Sequence, residues 1–416
     1  MSGRGSTRGA GVSDAPARFE TVEWESLGDE RRLGRAGRAF VAALAALAVV
    51  FVYDFAVLGG KNDDLIAWGL VHDGEFLFAV NFDPTGMTWL VALSVLLLVF
   101  TVVVPLATNR ALAARYWRRL RENRLATLAL GYLVVGTLAG FLAPLLLGGP
   151  EIHTKFSYQP PLFGTVPHHY PLLRCAGAVT DGICHGSLWA PLGTDQLGRG
   201  MGARVVVALK VSMTVGLVTS MLIVPLATAV GTAAGYIGGR VDDLLMRYVD
   251  IQQTIPAILI YLVLVLPFGR SLFLIVVVFG LLSWGGVARV VRGEVLQRSE
   301  ATYVTAAKSY GASDWWIVRR HVLPNTSNAV FTALSLQIPV LILAEAALAY
   351  LQLGERYSES FGNLIALGMR SVSQSFNFPG AWWIAAVPAV FLAATVLSFN
   401  VLGDALRDVL DPRGNS

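Results

Sequence analysis

Long apolar stretches separated by short polar segments dominate this chain. A helix needs roughly 20 apolar residues to cross the hydrocarbon layer of a bilayer. The stretches 37–58, 88–107, 125–147, 205–235, 243–267, 271–290, 328–352 and 381–403 all meet that length. The pattern predicts an all-α polytopic membrane protein with eight spans. The fourth stretch is longer than a span requires and contains Pro225, which predicts tilt or a kink. The fifth and sixth are separated by little more than Gly269, Arg270 and Ser271, which predicts a tight hairpin. No internal repeat is visible after the third stretch, so an inverted-repeat secondary carrier gains no support.

Composition sharpens this picture. Of 416 residues, 55% are hydrophobic and 14% charged, whereas a soluble domain carries about 25% charged residues. Lys and Arg exceed Asp and Glu by only four, 32 against 28. That excess does not point to nucleic acid, and its placement says more than its size. Arg4, Arg8, Arg18, Arg31, Arg32, Arg35 and Arg38 precede the apolar run Ala39–Leu58. Segment 108–124 holds Arg110, Arg115, Arg118, Arg119, Arg121 and Arg124 against Glu122. Loop 291–327 holds Arg292, Arg298, Lys308, Arg319 and Arg320, and the C-terminal tail Arg407 and Arg413. By contrast, 59–87 carries Asp63, Asp64, Asp73, Glu75 and Asp83 against Lys61. Basic loops stay in the cytoplasm. Eight spans with both termini inside satisfy that rule, and place 59–87, 148–204 and 353–380 outside.

The chain divides accordingly. Residues 1–36 are polar and of mixed charge. They read as a disordered cytoplasmic tail with a surface helix near Glu20–Arg35, not as a cleavable signal peptide. Residues 37–107 form a two-helix membrane extension, 108–124 a basic cytoplasmic linker, and 125–413 a six-helix unit with a long external loop, 148–204.

The cytoplasmic segment 303–325 reads as two short helices. The first, from about Glu300 to Tyr310, stops at Gly311, a residue suited to a left-handed C-terminal position. Ser313 can cap the second and Pro324 ends it, with Asn325 or Ser327 starting the next span. Ala307 and Gly311 are four residues apart, so they fall on one helical face, where small residues admit a partner backbone. On these grounds alone the segment is either an ordinary connector or a docking element.

Spacing decides between them through a resemblance. Thr305-Ala306-Ala307, Gly311 and Leu323-Pro324 resemble the coupling segment of binding-protein-dependent ABC importer permeases: Glu-Ala-Ala, three residues, Gly, then Leu-Pro after eleven more. Thr305 stands where that family usually has Glu, so a contact or cap made by the carboxylate is weakened or lost. Further segments resemble the C-type permeases of dipeptide and oligopeptide importers. Leu192-Gly193-Thr194-Asp195-Gln196-Leu197-Gly198-Arg199 is one, followed by Gly200 where those proteins carry Asp. Gly235-Tyr236-Ile237-Gly238-Gly239 with Asp242 and Asp243 is another. Ala344-Glu345-Ala346 through Gly354, and Phe399-Asn400-Val401-Leu402-Gly403-Asp404 through Asp411-Pro412-Arg413, complete the set. The resemblance covers roughly 115–413.

It implies a six-helix type I importer core in the cell membrane. A second homologous permease, two ABC ATPase subunits and an external substrate-binding protein are the implied partners, with ATP and Mg on the ATPases and no cofactor on this chain. It also implies that Tyr303, Thr305, Ala306, Ala307, Gly311, Ala312, Leu323 and Pro324 contact an ATPase. Gly193, Thr194, Asp195, Gly198 and Arg199 form an external-loop motif of that family. A P-loop needs Gly, four residues, then Gly-Lys-Ser/Thr. Of Lys61, Lys155, Lys210 and Lys308, only Lys61 follows a glycine, and Asn62 and Phe55 occupy the other required positions. The chain is therefore not expected to hydrolyse ATP. The competing class is a stand-alone channel or secondary transporter, which needs paired charges or broken helices at mid-membrane, where Glu345 is the one candidate.

Other residues divide between readings. Cys175 and Cys184 are the two cysteines; outside the membrane they form a disulfide or stay free. His153, His168, His169 and His185 share the loop, but their spacing fits no common metal-ligand pattern. Lys210 sits near the outer end of its span and can snorkel. Glu345 lies mid-span, where a charge costs about 2.5–3.5 kcal/mol on insertion scales. It is a pathway or gate candidate, held by other helices or touching a substrate amine. Trp315 and Trp316 either pack on an ATPase or anchor at the lipid surface. Loop 148–204 either docks the binding protein or covers its own partner subunit.

Overall fold

A computed structural model describes residues 35–54, 66–72, 75–82, 85–167, 174–356, 358–374 and 381–410. The expected tail helix near Glu20–Arg35, His168, His169 and the Asp411-Pro412-Arg413 end of the last motif lie outside these residues. Among the described residues, seven helices are long and apolar enough to cross a membrane, and an eighth span arises if one bent pair counts as one.

α1 (Arg35–Tyr53) is followed by a hairpin of β1 (Ile66–His72) and β2 (Glu75–Phe82), an element the apolar pattern did not predict in 59–87. α2 (Gly86–Leu98) continues through a π-turn at Val99–Val103 into α3 (Val104–Thr108). The Trp89 indole donates to Asp54 at 2.9 Å, so that carboxylate ties α1 to α2. Met87, Leu90 and Val91 pack on the main core, which joins the extension to the rest of the molecule. α4 (Arg110–Glu122) follows after one residue, and α5 (Arg124–Leu147) after one more. Asn123 caps α5, its side chain accepting from the Ala126 amide at 3.1 Å.

α6 (Met201–Ile237) is a single helix of 37 residues that runs through Pro225. Gly238 and Gly239, with φ of 68° and 55°, reverse the chain into α7 (Gly239–Thr254). The span expected at 243–267 is broken in two. α7 and α8 (Ala257–Phe268) meet at an angle of 69°. The cause is local: Ile255 precedes Pro256 and adopts extended backbone, φ −92° and ψ 112°, because the ring of the following proline disfavours the helical region. The hairpin to α9 (Leu272–Leu282) forms at Gly269, φ 77°, and Ser271 caps α9. After a break at Ser283, α10 (Gly285–Ser299) extends that span beyond its predicted end.

The core centres on α6 and α10. A methyl group at Gly231 would lie 2.7 Å from Val291 Cβ, and one at Gly235 would lie 2.8 Å from the Arg292 carbonyl. Both glycines therefore allow backbone-to-backbone approach. Asp242 of α7 grips Arg292 of α10 with both carboxylate oxygens, and Asp250 pairs with Arg289. These three helices form one unit.

At the opposite end, the long loop expected at 148–204 is folded. It contains a small sheet in the order β3 (Thr165–Pro167), β5 (Ile183–His185), β4 (Val179–Thr180), and Cys175 is bonded to Cys184. The Gly193–Arg199 motif closes this loop onto the helices. Gly193 has φ 81°, and a methyl there would strike Trp383. The Thr194 hydroxyl accepts from the Gln159 amide at 2.8 Å and donates to the Phe156 carbonyl at 2.7 Å. The Trp383 indole donates to the Thr194 carbonyl at 3.0 Å. Gly198, φ 75°, sits against the His153 backbone. Asp195 is completely buried. It accepts from the Leu197 and Arg199 amides, both at 2.8 Å, and from the side chains of Arg199 at 2.9 Å and Arg204 at 2.7 Å. Both arginines also reach Glu359, at 2.9 Å and 2.7 Å. Two cations and two anions thus bind the loop, the first turn of α6 and the segment around Glu359 into one clasp.

Segment 353–380, expected outside the membrane, contains α14 (Phe361–Gln374). Its amphipathic pattern is too short for a span, and its apolar face packs on α15 (Trp383–Leu410) and α13 (Leu323–Tyr350).

Arg204→Met leaves the buried Asp195 and the half-buried Glu359 short of a cation; breaking a buried pair from one side costs about 3–5 kcal/mol. The expected result is a clear fall in unfolding temperature in detergent; an unchanged temperature removes the clasp as a stabilising element. Reduction of Cys175–Cys184 releases a loop whose closure contributes about 2–3 kcal/mol in the chain-entropy account. Limited proteolysis within 174–185 is expected to speed up on reduction.

Candidate functional site

Segment 300–325 contains α11 (Thr302–Ser309), a turn, and α12 (Asp314–Ile317). α11 ends as its residue types require. The Ala312 amide donates to the Ala307 carbonyl at 3.1 Å and the Gly311 amide to the Lys308 carbonyl at 2.9 Å. This pair of bonds is the Schellman arrangement, which needs left-handed backbone at the residue after the cap. Gly311 supplies it with φ 79°. Ala307 and Gly311 therefore do not share a helical face: Ala307 lies inside α11, half-buried on the core, and Gly311 lies beyond its end. A methyl at Gly311 would meet open space.

Ser313 caps α12, accepting from the Trp316 amide at 3.4 Å. Pro324 does not end this helix. A π-turn at Val318–Val322 carries the chain directly into α13, with Pro324 in its first turn. There the missing N–H costs little, because first-turn amides have no helical partner. Asn325 and Ser327 bond back to the carbonyls of His321 and Pro324 instead of starting the span.

One side of this segment belongs to the membrane core. Val304, Ile317 and Val322 are fully buried in the cluster that includes Val287, Ala288, Val291 and Val295 of α10. The Tyr236 hydroxyl, at the end of α6, donates to Asp314 at 2.7 Å, and Lys308 lies over the Tyr236 ring at 5.1 Å. Tyr303 and Trp316 flank His321, with ring centroids 5.8 Å and 4.9 Å away. The other side is bare. Tyr310 is 92% exposed and Trp315 71%; Thr305, Ala306 and Pro324 are exposed, and Leu323 and Ala312 are half-buried. The predicted residues thus come together as a ridge with an apolar root and an aromatic crest.

The Gly193–Arg199 motif is at the opposite end of α6 and does not join this ridge. Glu345 lies between the two ends of α13. It is 2% exposed, its partner is the Ser360 hydroxyl, and its Oε2 has no hydrogen-bond partner. Ser360 also caps α14 through the Asn363 amide, so Glu345 is tied to the end of α14 beside the clasp. Lys210 sits 5.8 Å from the Phe141 ring centroid. His153 pairs with Glu151 and His185 with Thr180.

Arg204, Glu359 and Ser360 do not stand out by residue type and spacing alone, although Arg204 carries a usable signal, a cation at the start of an apolar run. The tie between Tyr236 and Asp314 joins residues 78 apart in sequence and left no local trace.

The chain matches two family models. The binding-protein-dependent transport system inner membrane component matches residues 227–415, and the N-terminal TM domain of oligopeptide transport permease C matches residues 112–161. Neither reaches α1 or α2. Among curated relatives, the dipeptide transport system permease protein DppC of Bacillus subtilis is 32% identical over 300 residues, 71% of this chain and 84% of that protein. The oligopeptide transport system permease protein OppC of Escherichia coli K12 is 34% identical over 297 residues, 71% and 89%. OppC of Haemophilus influenzae is 36% identical over 222 residues, 53% and 70%. With these relatives and its bundle of apolar helices, the chain is a multi-pass protein of the cell membrane and belongs to the binding-protein-dependent transport permease family.

Proposed function

We propose that this chain is one permease subunit of an ATP-driven importer of dipeptides or oligopeptides. In this reading it lines the pathway with a second, homologous permease, and two separate ATPase subunits with ATP and Mg dock on its arginine-rich end. An external binding protein delivers peptide to the end that carries the clasp. The observation that carries the reading is the two-sided ridge at 302–324. A loop that merely connected helices would not bury Val304, Ile317 and Val322 in the membrane core while exposing Tyr310 and Trp315. An element built this way moves with α6 and α10 and presents large aromatic side chains to a partner, a residue class that dominates binding energy at interfaces. The peptide branch is supported by the relatives' transport of dipeptides and oligopeptides.

Mild-detergent purification of the tagged chain tests the assembly. A second permease and ATPase subunits are expected to co-purify. A chain that purifies alone and moves solute without ATP would make it a carrier or channel. Gly311→Asp tests the ridge itself. Asp tolerates left-handed backbone better than most residues, so insertion is expected to survive. Peptide-stimulated ATP hydrolysis in the reconstituted complex is expected to be abolished, because a charged side chain replaces an open surface at the crest. An unchanged hydrolysis rate would sink the coupling role.

A further inference from the structure

We propose that α4 is an anchor for anionic phospholipid headgroups, through which the membrane surface holds the C-terminal end of α15.

The placement comes first. One residue, Asn109, separates α4 from the membrane helix ending at Thr108, and one residue, Asn123, separates it from the span starting at Arg124. A 13-residue helix joined so tightly to two membrane helices cannot leave the bilayer surface. Its arginines therefore stand at the depth of the lipid phosphates.

The chemistry comes second. At about 100° per residue, Arg110, Arg121, Arg118, Arg115 and Arg119 fall on one half of the helix. Ala113, Tyr116, Leu120 and Trp117 fall on the other. Leu120 is buried against Ala126 of α5 and Ala405 of α15. Trp117 is 44% exposed, and the Arg121 guanidinium lies 5.1 Å from its ring centroid. Arg110, Arg115, Arg118 and Arg121 are exposed. A helix with a basic half, an apolar half and a tryptophan at the boundary is the interfacial type, and clustered arginines beside a span attract anionic headgroups. Guanidinium groups match phosphate oxygens in pairs.

The consequence for the permease comes through Arg119. It donates to the Val409 carbonyl at 3.1 Å, in the last turn of α15. That turn presents carbonyls with no partner within the helix, which a cation satisfies. Lipid held on the exposed arginines thus fixes α4, and α4 fixes the end of α15.

Native mass spectrometry of the delipidated full-length chain, titrated with phosphatidylglycerol and with phosphatidylcholine, tests the proposal. A preference for phosphatidylglycerol is expected. R115Q/R118Q/R121Q is expected to lose it, by roughly fivefold for each arginine removed, while R115K/R118K/R121K retains most of it. Equal binding of the two lipids by the parent chain overturns the proposal. So does a triple glutamine variant that keeps the preference. If that variant keeps the lipid preference but no longer retains ATPase subunits, the face belongs to a protein partner and the lipid anchor is wrong.

Discussion

The contact between α6 and α10 fixes everything else in this molecule. At Gly231 and Gly235 the two helices approach so closely that a single methyl group would overlap the opposing backbone. Close approach of this kind maximises dispersion between helices that gain no hydrophobic driving force from lipid. It also leaves the pair no freedom to slide. The paired charges Asp242–Arg292 and Asp250–Arg289 then bind α7 to α10, and the root of the 302–324 ridge packs in the same cluster as Val291 and Val295. The ridge is therefore a projection of the transmembrane core.

The clasp at the other end rests on different physics. Asp195 and Arg204 are removed from water, which is costly for either alone. The cost is offset because Asp195 also accepts two backbone amides, and because Glu359 balances the second arginine. Such a network tolerates little displacement, since each lost bond strands a charge in a medium of low dielectric. Its value is geometric: three segments far apart in sequence, around residues 195–204, 359 and 383, are held in one arrangement. Glu345 extends this order inward through Ser360.

Much of this was legible in the sequence, for reasons that can be named. Apolar length located the spans, and Gly311, Ser313 and the Gly269–Ser271 turn acted locally, so their roles followed from residue type. Ile255-Pro256 was also a local signal, but apolar length outweighed it, and the bend between α7 and α8 went unread. Pro324 is ambiguous in sequence, because a proline in the first turn of a helix looks like one that ends the previous helix. The β1–β2 hairpin and α14 were hidden for another reason: neither is long or apolar enough to stand out beside membrane spans. Long-range ties such as Arg204–Glu359 and Tyr236–Asp314 depend on the packed fold and have no sequence period to betray them.

α6 is longer than a hydrocarbon layer is thick. Thirty-seven residues extend about 55 Å, well beyond a hydrocarbon layer of about 30 Å. Its first turn is gripped by the clasp through Arg204, and its last by the ridge through Tyr236. One covalently continuous rod thus has a handle on each side of the membrane. Free energy that distinguishes two positions of one handle must distinguish the same two positions of the other. Binding at the two ends is then linked reciprocally: by whatever factor a ligand at one end changes the affinity of the other end for a second ligand, that second ligand changes the affinity for the first.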